Sequence, residues 1–408
     1  MKCEWKEVIL ESLITDIAAG PFGSNLKVSC FVPTGFPIID GANLKGFKVT
    51  DNITKFVTEE KARSLSRSIA KRNDIVVTIS GTLGQIAYIP ENSCFPEYLC
   101  SQRQFRVTFD SQKVYVPYLV YYFHTYEGQN KILSFANQTG VPALSQPLKN
   151  FKKIKIKLPC LQVQKNIASI VEQLDDKIEL NNKINENLKR QVTTIFKSWF
   201  IDYIPFGGVS PKEWYNVTLA DITSLITRGI APKYSEDSNQ TVINQKCIRN
   251  HIIDLSLTRT HTPKTINEKW LQYGDLLINS TGTGTLGRVA QVWFEPKNLT
   301  VDSHITIVRP ASENLIFYIG LWGILHEKEI ESLHTGSTGQ TELPRERVKA
   351  IELLLPDEET LDRFNAIIAP MTASIVANQE ENQRLAKIRD VLLPKFMSGE
   401  LDVSEMCL

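Results

Sequence analysis

The stretch STGTGTLGRVA, residues 280–290, contains a complete G-x-G-x-x-G at Gly282, Gly284 and Gly287, and its reading decides the fold. As a dinucleotide fingerprint it would have to leave a strand, enter a helix and hold a pyrophosphate on that helix's first turn. The residues that follow, RVAQVWF, alternate in the manner of a strand instead. Earlier in the chain, ISGTLGQIA (residues 79–87) repeats the phrase without the middle glycine. A phosphate-binding loop would not survive that loss in one copy. The stretch therefore reads as a tight strand-turn-strand hairpin whose glycines permit positive φ.

The repeated phrase belongs to a longer repeat. WKEVILESLITDIAAG (residues 5–20) aligns with WYNVTLADITSLITRG (residues 214–229), matching at Trp5/Trp214, Val8/Val217, Leu10/Leu219, Ile17/Ile226 and Gly20/Gly229. The match continues in order: Asn73–Val77 with Gly274–Ile278, NQTGVPAL (137–144) with GSTGQTEL (336–343), and KIKLP (155–159) with ELLLP (352–356). The chain is a tandem duplication with a period of about 200 residues. Each copy carries short alternating runs, DIVVTI, QIAYIP and FRVTF in the first and DLLINS, RVAQVWF and HITIVRP in the second, which read as strands joined by Gly, Asn and Ser turns. A helical run follows in each, over residues 116–135 and 315–333, with large apolar side chains at core-facing spacing.

After each copy comes a different pattern. Ile167, Val171, Leu174, Ile178, Asn181, Asn185, Leu188, Val192, Ile195 and Trp199 fall three and four residues apart, the seam of a coiled coil. The second copy answers with Ile368, Met371, Ile375, Asn378, Asn382, Leu385, Arg389, Leu392 and Phe396. Both asparagines recur, and a buried seam amide needs a partner that can hydrogen-bond it. Antiparallel pairing sets Asn181 against Asn382, Asn185 against Asn378 and Trp199 against Phe364, with one poor layer, Leu174 against Arg389. Roughly thirty paired residues would make a rod about 50 Å long. The expected fold class is α+β: two tandem-duplicated mixed α/β globular domains separated by two long helices that form an antiparallel coiled coil, related by an approximate two-fold. The expected boundaries are 1–158 for the first globule, 159–203 for the central helix, 204–355 for the second globule and 356–408 for the C-terminal helix and tail.

Composition narrows the function. Hydrophobic residues make up 42% and charged residues 22%, the balance of an ordinary folded soluble protein. MKCEWKEVILES lacks the apolar core of a signal peptide and no run is long enough for a membrane span, so a cytoplasmic location without membrane contact is expected. The seven cysteines show no paired C-x-x-C spacing and read as reduced thiols rather than a metal site. His326, Glu327 and His334 in HEKEIESLH are wrongly spaced for a zinc protease, and neither a GxxxxGK[ST] loop nor an Asn-Pro-Pro-Tyr methyltransferase loop is present. Residues 1–160 carry 20 Lys plus Arg against 13 Asp plus Glu, a net of +7; residues 204–356 carry 15 against 16, a net of −1; residues 357–408 carry 5 against 10, a net of −5. A basic first globule fits phosphate contact, and two sibling heads at a fixed spacing suit duplex DNA, whose turns repeat about every 34 Å.

Two repeats that open on Trp-x-x-Val-x-Leu, carry a GTLG turn and a TG turn, and close through Leu-Pro into a long helix resemble the specificity subunit of Type I restriction-modification enzymes. The resemblance spans nearly the whole chain. It implies that each globule is a target recognition domain reading one half of a split, asymmetric double-stranded DNA sequence, while the helices set the spacer and dock two modification (methyltransferase) subunits. It implies further that this chain is not itself an enzyme and binds no cofactor. S-adenosylmethionine, ATP and magnesium would be used by the modification subunits and by the restriction subunits that translocate and cleave DNA. The alternatives are a duplicated protein- or glycan-binding scaffold without a nucleic-acid role, and an enzyme using the glycine turn.

Base reading needs paired donors and acceptors on loops, with Lys, Arg, Ser and Thr on phosphates. In the first copy the candidates are Ser24, Asn25, Lys27, Asn43, Lys45, Arg63, Arg67, Thr82, Gln85, Arg103 and Gln138. In the second they are Arg228, Lys233, Tyr234, Asn244, Lys246, Arg249, Asn250, Thr283, Arg288, Ser337, Thr338 and Gln340. Heads that read different half-sites should differ where they touch bases, which favours divergent positions such as Gln85 against Arg288 over the shared threonines.

Overall fold

The computed structural model describes residues 4–137, 141–336 and 341–403. The chain forms two compact units, Met1–Ile178 with Gln383–Leu408, and Glu179–Asn382. Each unit holds one sequence copy and a stretch of each long helix.

In the first unit β1 (Ile14–Ala19), β2 (Ile75–Thr78), β3 (Ile86–Tyr88) and β4 (Gln104–Phe109) form an antiparallel sheet in the order β1-β4-β2-β3. In the second, β5 (Thr223–Arg228), β6 (Leu276–Asn279), β7 (Val289–Gln291) and β8 (Ile305–Pro310) repeat it as β5-β8-β6-β7. The sequence repeat is thus a repeat of topology. Strands β2 (IVVT) and β6 (LLIN) are buried at every residue because each sheet is covered on both faces. Ile75 and Val77 join one apolar cluster while Val76 and Ala87 join another; Leu276 and Ile278 separate from Leu277 and Ala290 in the same way.

Just before each buried strand stands an acid. Asp74 accepts from Lys71 N (2.9 Å) and Thr108 Oγ1 (2.6 Å); Asp275 accepts from Gln272 N (2.8 Å) and from Arg309 Nε and Nη2 (both 2.8 Å). Burial pushes both carboxyls above their usual range, against the pull of those donors.

The helical runs expected as single helices are each two. In the first copy Val116–His124 and Tyr126–Leu133 are separated by Thr125, whose extended backbone (φ −72°, ψ 160°) and hydroxyl, accepting from Gly128 N at 3.1 Å, start a new helix. In the second, Ile316–Leu325 and Glu327–Ser332 meet at His326. Outside the shared sheet the copies also diverge. The first adds a five-stranded sheet and the second a three-stranded one, although each keeps one parallel pair, Phe36–Ile39 with Glu97–Cys100 and Thr241–Ile243 with Leu299–Val301.

The seam helices are longer than their apolar pattern, Leu161–Phe200 with 40 residues and Glu358–Ser398 with 41. Both units pair them antiparallel. In the second unit Asn181 Nδ2 donates to Asn382 Oδ1 at 2.9 Å and Asn378 Nδ2 to Asn185 Oδ1 at 2.8 Å, with the Trp199 and Phe364 rings 5.8 Å apart. In the first unit Asn166 Nδ2 donates to Val403 O at 2.9 Å and Arg389 Nη1 to Asp175 Oδ1 at 2.8 Å. The poor layer is therefore repaired from the side: Asp175 and Asp390 take the Arg389 guanidinium, and the Phe47 ring lies 5.2 Å from it. Burial still holds the Asp175 carboxyl above its ordinary range.

Two stability outcomes follow. Replacing Arg309 with Met leaves Asp275, whose side chain is 0% exposed, without a cation and with only the Gln272 N bond; a loss of about 3–5 kcal/mol in chemical denaturation is expected. Asn181→Leu alone should lower the melting temperature, because Asn382 Oδ1 loses its donor while Asn382 Nδ2 keeps Asn182 Oδ1 at 2.9 Å, a loss of about 1 kcal/mol, whereas Asn181→Leu with Asn382→Leu should melt above the single variant. A double variant no more stable than the single would show that the amide pair is not the constraint.

Candidate nucleic-acid interface

The glycine turns explain themselves in backbone terms. Gly81 and Gly84 have φ of +94° and +84°, and Gly282, Gly284 and Gly287 have +100°, +73° and +84°. Each turn runs into a strand, β3 or β7, so no helix N-terminus is available for a pyrophosphate. The last glycine of each lies against the split helical segment: a Cβ on Gly84 would stand 2.3 Å from Gln129 Oε1, and one on Gly287 2.5 Å from Glu331 Cβ.

In the first head the turn forms one wall of a cleft of about 700 Å³. Leu26, Val28 and Phe31 line it from the loop after β1, Asp40, Gly41 and Ala42 from the next loop, and Ser101 to Gln104 from the approach to β4. Gln102 Nε2 fixes the first of these loops by donating to Gly23 O (3.0 Å) and Leu26 O (2.7 Å). Ser24, Asn25 and Lys27 are exposed on that loop, and Thr82 and Arg103 are exposed on the cleft wall. Lys45 is exposed beyond Ala42. Arg67 is exposed on an adjoining groove of about 400 Å³ that Phe22 and Asn25 also line.

Other candidates have their polar atoms committed. Asn43 is a correction: it is 4% exposed, its Oδ1 accepts from Asp40 N (3.1 Å), and its Nδ2 donates to Thr50 O (3.4 Å) and Asn52 O (3.2 Å), so it shapes the loop. Gln85 Nε2 donates to Gly41 O at 3.0 Å while its Oε1 accepts from Thr78 Oγ1 at 3.1 Å. Arg63 is exposed but held by Glu59 (2.8 Å) and Glu97 (2.6 Å).

In the second head Ile248–Arg249 pairs with Ile252–Ile253 across Asn250 (φ 52°) and His251 (φ 59°), the left-handed pair of a two-residue hairpin. Arg249 and Asn250 are exposed at its tip; His251 Nδ1 stands 3.4 Å from Glu327. Lys233, Tyr234, Lys246 and Thr283 are exposed on neighbouring loops. Arg228 instead binds Glu342 (2.9 Å) and Leu343 O (2.8 Å), and Arg288 donates to Gly284 O (2.6 Å). Asn244 caps a short turn by accepting from Lys246 N at 2.9 Å. The divergent Gln85/Arg288 pair thus holds loops in both heads. Gln138, Ser337, Thr338 and Gln340 lie outside the described residues. Gln102 was missed from sequence, although the polar run Gln102-Arg103-Gln104 before a strand marks it.

Among the described residues no group of three or more His, Cys, Asp or Glu could hold a metal ion, and no helix is long and apolar enough to cross a membrane. The arrangement offers rigid loops bearing amides, hydroxyls and cations, which can hydrogen-bond phosphates and base edges.

Gly287→Ala should destabilise the second unit more than Gly284→Ala. Both residues have positive φ, but only the first would also drive a Cβ into Glu331. Equal melting temperatures for the two variants would contradict this packing.

The family model described as "Type I restriction modification DNA specificity domain" matches the chain twice, at residues 32–190 and 211–388. The chain is 27% identical over 377 residues to the MjaIX Type I restriction enzyme specificity subunit of Methanocaldococcus jannaschii, covering 86% of this chain and 82% of the relative. It is 21% identical over 319 residues to the HindI specificity subunit of Haemophilus influenzae, covering 61% and 69%. In fold it is similar to the crystal structure of a Type I restriction-modification S subunit from M. genitalium, with a TM-score of 0.64 at 15% identity over 97% of this chain and 96% of that one.

Proposed function

The chain belongs to the Type I restriction modification DNA specificity family, and from that premise we propose that its two heads each read one half of a bipartite, asymmetric DNA target. It is the non-catalytic recognition subunit of a restriction-modification complex. The observation that carries the reading is the repetition of one buried sheet beneath two different sets of polar loops. A common scaffold with divergent edges is what two readers of different sequences require. Lys27, Lys45, Arg67 and Arg103 in the first head and Lys233, Lys246 and Arg249 in the second supply cations for phosphates, with Asn25 and Asn250 as amide readers.

In this reading the paired helices fix the spacing of the half-sites and dock two modification subunits, and restriction subunits complete the assembly. Adenine methylation with S-adenosylmethionine, and ATP- and magnesium-dependent translocation and cleavage, belong to those partners. The complex works in the cytoplasm, where its DNA is. A protein- or glycan-binding scaffold is the rival, and salt dependence separates the two: binding through phosphates weakens log-linearly with salt as counterions are released.

The test is to purify the chain with its modification partner and map the methylated adenines. The expected result is a split motif, with gel-shift affinity falling steeply from 50 to 200 mM salt. Exchanging residues 1–155 for another family member's first head should change one half-motif and leave the other. A change in both halves, or salt-insensitive binding, would overturn the assignment.

A further inference from the structure

The second head contains an arginine that was no candidate in the sequence and that the fold holds in a distinctive way. Arg259 is exposed, and its guanidinium carbon lies 3.5 Å from the centroid of the Tyr234 ring. Tyr234 is itself 41% exposed. Unlike Arg228, Arg288 and Arg309, whose guanidinium groups donate to carbonyls or carboxylates of the same head, Arg259 has no guanidinium N–H hydrogen-bonded to another group among the described residues.

The platform beneath it is rigid. Arg259 pairs with Val242 in an antiparallel ladder, and the neighbouring Thr241 and Val242 pair in parallel with Leu299 and Thr300 of the interior. The Tyr234 segment is tied to the Arg259 segment through Ser235 N donating to Thr260 O at 3.2 Å, Thr262 N to Lys233 O at 2.7 Å, and a bridge from Tyr234 to His261. A stacked guanidinium keeps its plane and rotamer while its edge stays free, so little conformational freedom remains to be lost when a ligand binds.

Resting on the reading of the second head as a DNA reader, we propose that Arg259 is a specificity-determining residue that recognises a guanine in that head's half-site. Its fork matches the two acceptors, O6 and N7, on the guanine edge in the major groove, and Tyr234 is the positioning residue that fixes the plane of the fork. A phosphate contact would need only the charge; the aromatic platform adds orientation, which matters for an edge that must be met bidentately.

The experiment uses the complex with its modification partner, comparing wild type, Arg259→Lys, Arg259→Ala, Tyr234→Phe and Tyr234→Ala by mapping methylated adenines and by competition gel shifts. Wild type should show a split motif with a guanine in the second head's half. Arg259→Ala should relax that one position by roughly 5- to 150-fold in discrimination, with the other half-motif unchanged. Arg259→Lys should relax it too, since an ammonium keeps the charge but loses the fork. Tyr234→Ala should relax the same position, and Tyr234→Phe, which keeps the ring face under the guanidinium, should relax it less than Tyr234→Ala does. All four variants should keep the wild-type motif in the first half, which verifies a folded complex.

Full specificity in Arg259→Lys, or a uniform loss across sequences with a salt slope lower by about one, identifies a phosphate contact and overturns the proposal. So does an unchanged motif in Arg259→Ala, or a wild-type half-site without guanine on either strand. If the wild-type complex shows no motif at all, what fails is the DNA-reading function itself.

Discussion

The antiparallel contact between the amides of Asn181 and Asn382, and of Asn185 and Asn378, is the constraint on which the rest of the second unit depends. A seam made only of aliphatic side chains tolerates sliding by a heptad, because one leucine packs nearly as well as the next. An amide buried to 0% exposure at Asn181 does not, since a slip would leave it facing hydrocarbon. The pairing therefore selects register at some cost in stability. That cost is visible in the Asn181 Oδ1 atom, which is buried without a hydrogen-bond partner among the described residues. The aromatic cluster of Phe196, Trp199, Phe200 and Phe364 then supplies the apolar contact that the polar layers lack.

The first unit solves a different problem on the same helices. A cation in the seam at Arg389 would be unfavourable against Leu174, yet it is neutralised by Asp175 on the opposite helix and Asp390 on its own, and covered by Phe47 from the head. Tyr88 reinforces the attachment by donating to Glu172 at 3.1 Å. The two units thus share topology without sharing the chemistry that joins head to helix. A duplicated chain can diverge this way because each joint needs only to be internally satisfied.

The central strand runs, the duplication and the antiparallel seam were legible because they rest on periodicity and repetition, which burial imposes directly on sequence, whereas the order of the strands within each sheet was not. Other features were not. The breaks at Thr125 and His326 interrupt runs that stay apolar throughout, so hydrophobic pattern alone reads each as continuous; only the capping hydroxyl of Thr125 marks the first. The extra sheet of the first head is built from strands as short as Phe31–Val32 and Phe56–Val57, too short to show a period of two. Loop residues were the hardest to sort. Asn43 and Lys45 stand two apart in one loop, yet Asn43 turns inward to cap it and Lys45 outward to solvent. Composition cannot separate these roles, because an amide that shapes a loop and an amide that reads a base are the same residue type.

The partners of the arginines make that distinction physical. An arginine whose donors meet carbonyls, as Arg288 meets Gly284 O and Ile248 O, holds a turn in place and has part of its edge committed to the head itself. One paired with carboxylates, as Arg63 with Glu59 and Glu97, brings no net charge to a phosphate. Only an arginine held by something that leaves its N–H groups free can be both ordered and available, and an aromatic face does this because it engages the π surface of the guanidinium rather than its edge. The neutral balance of the second head is consistent with this division of labour. On the proposed reading, recognition there would depend less on total charge, which strengthens binding to any duplex equally, than on a few fixed donors whose geometry discriminates one base pair from another.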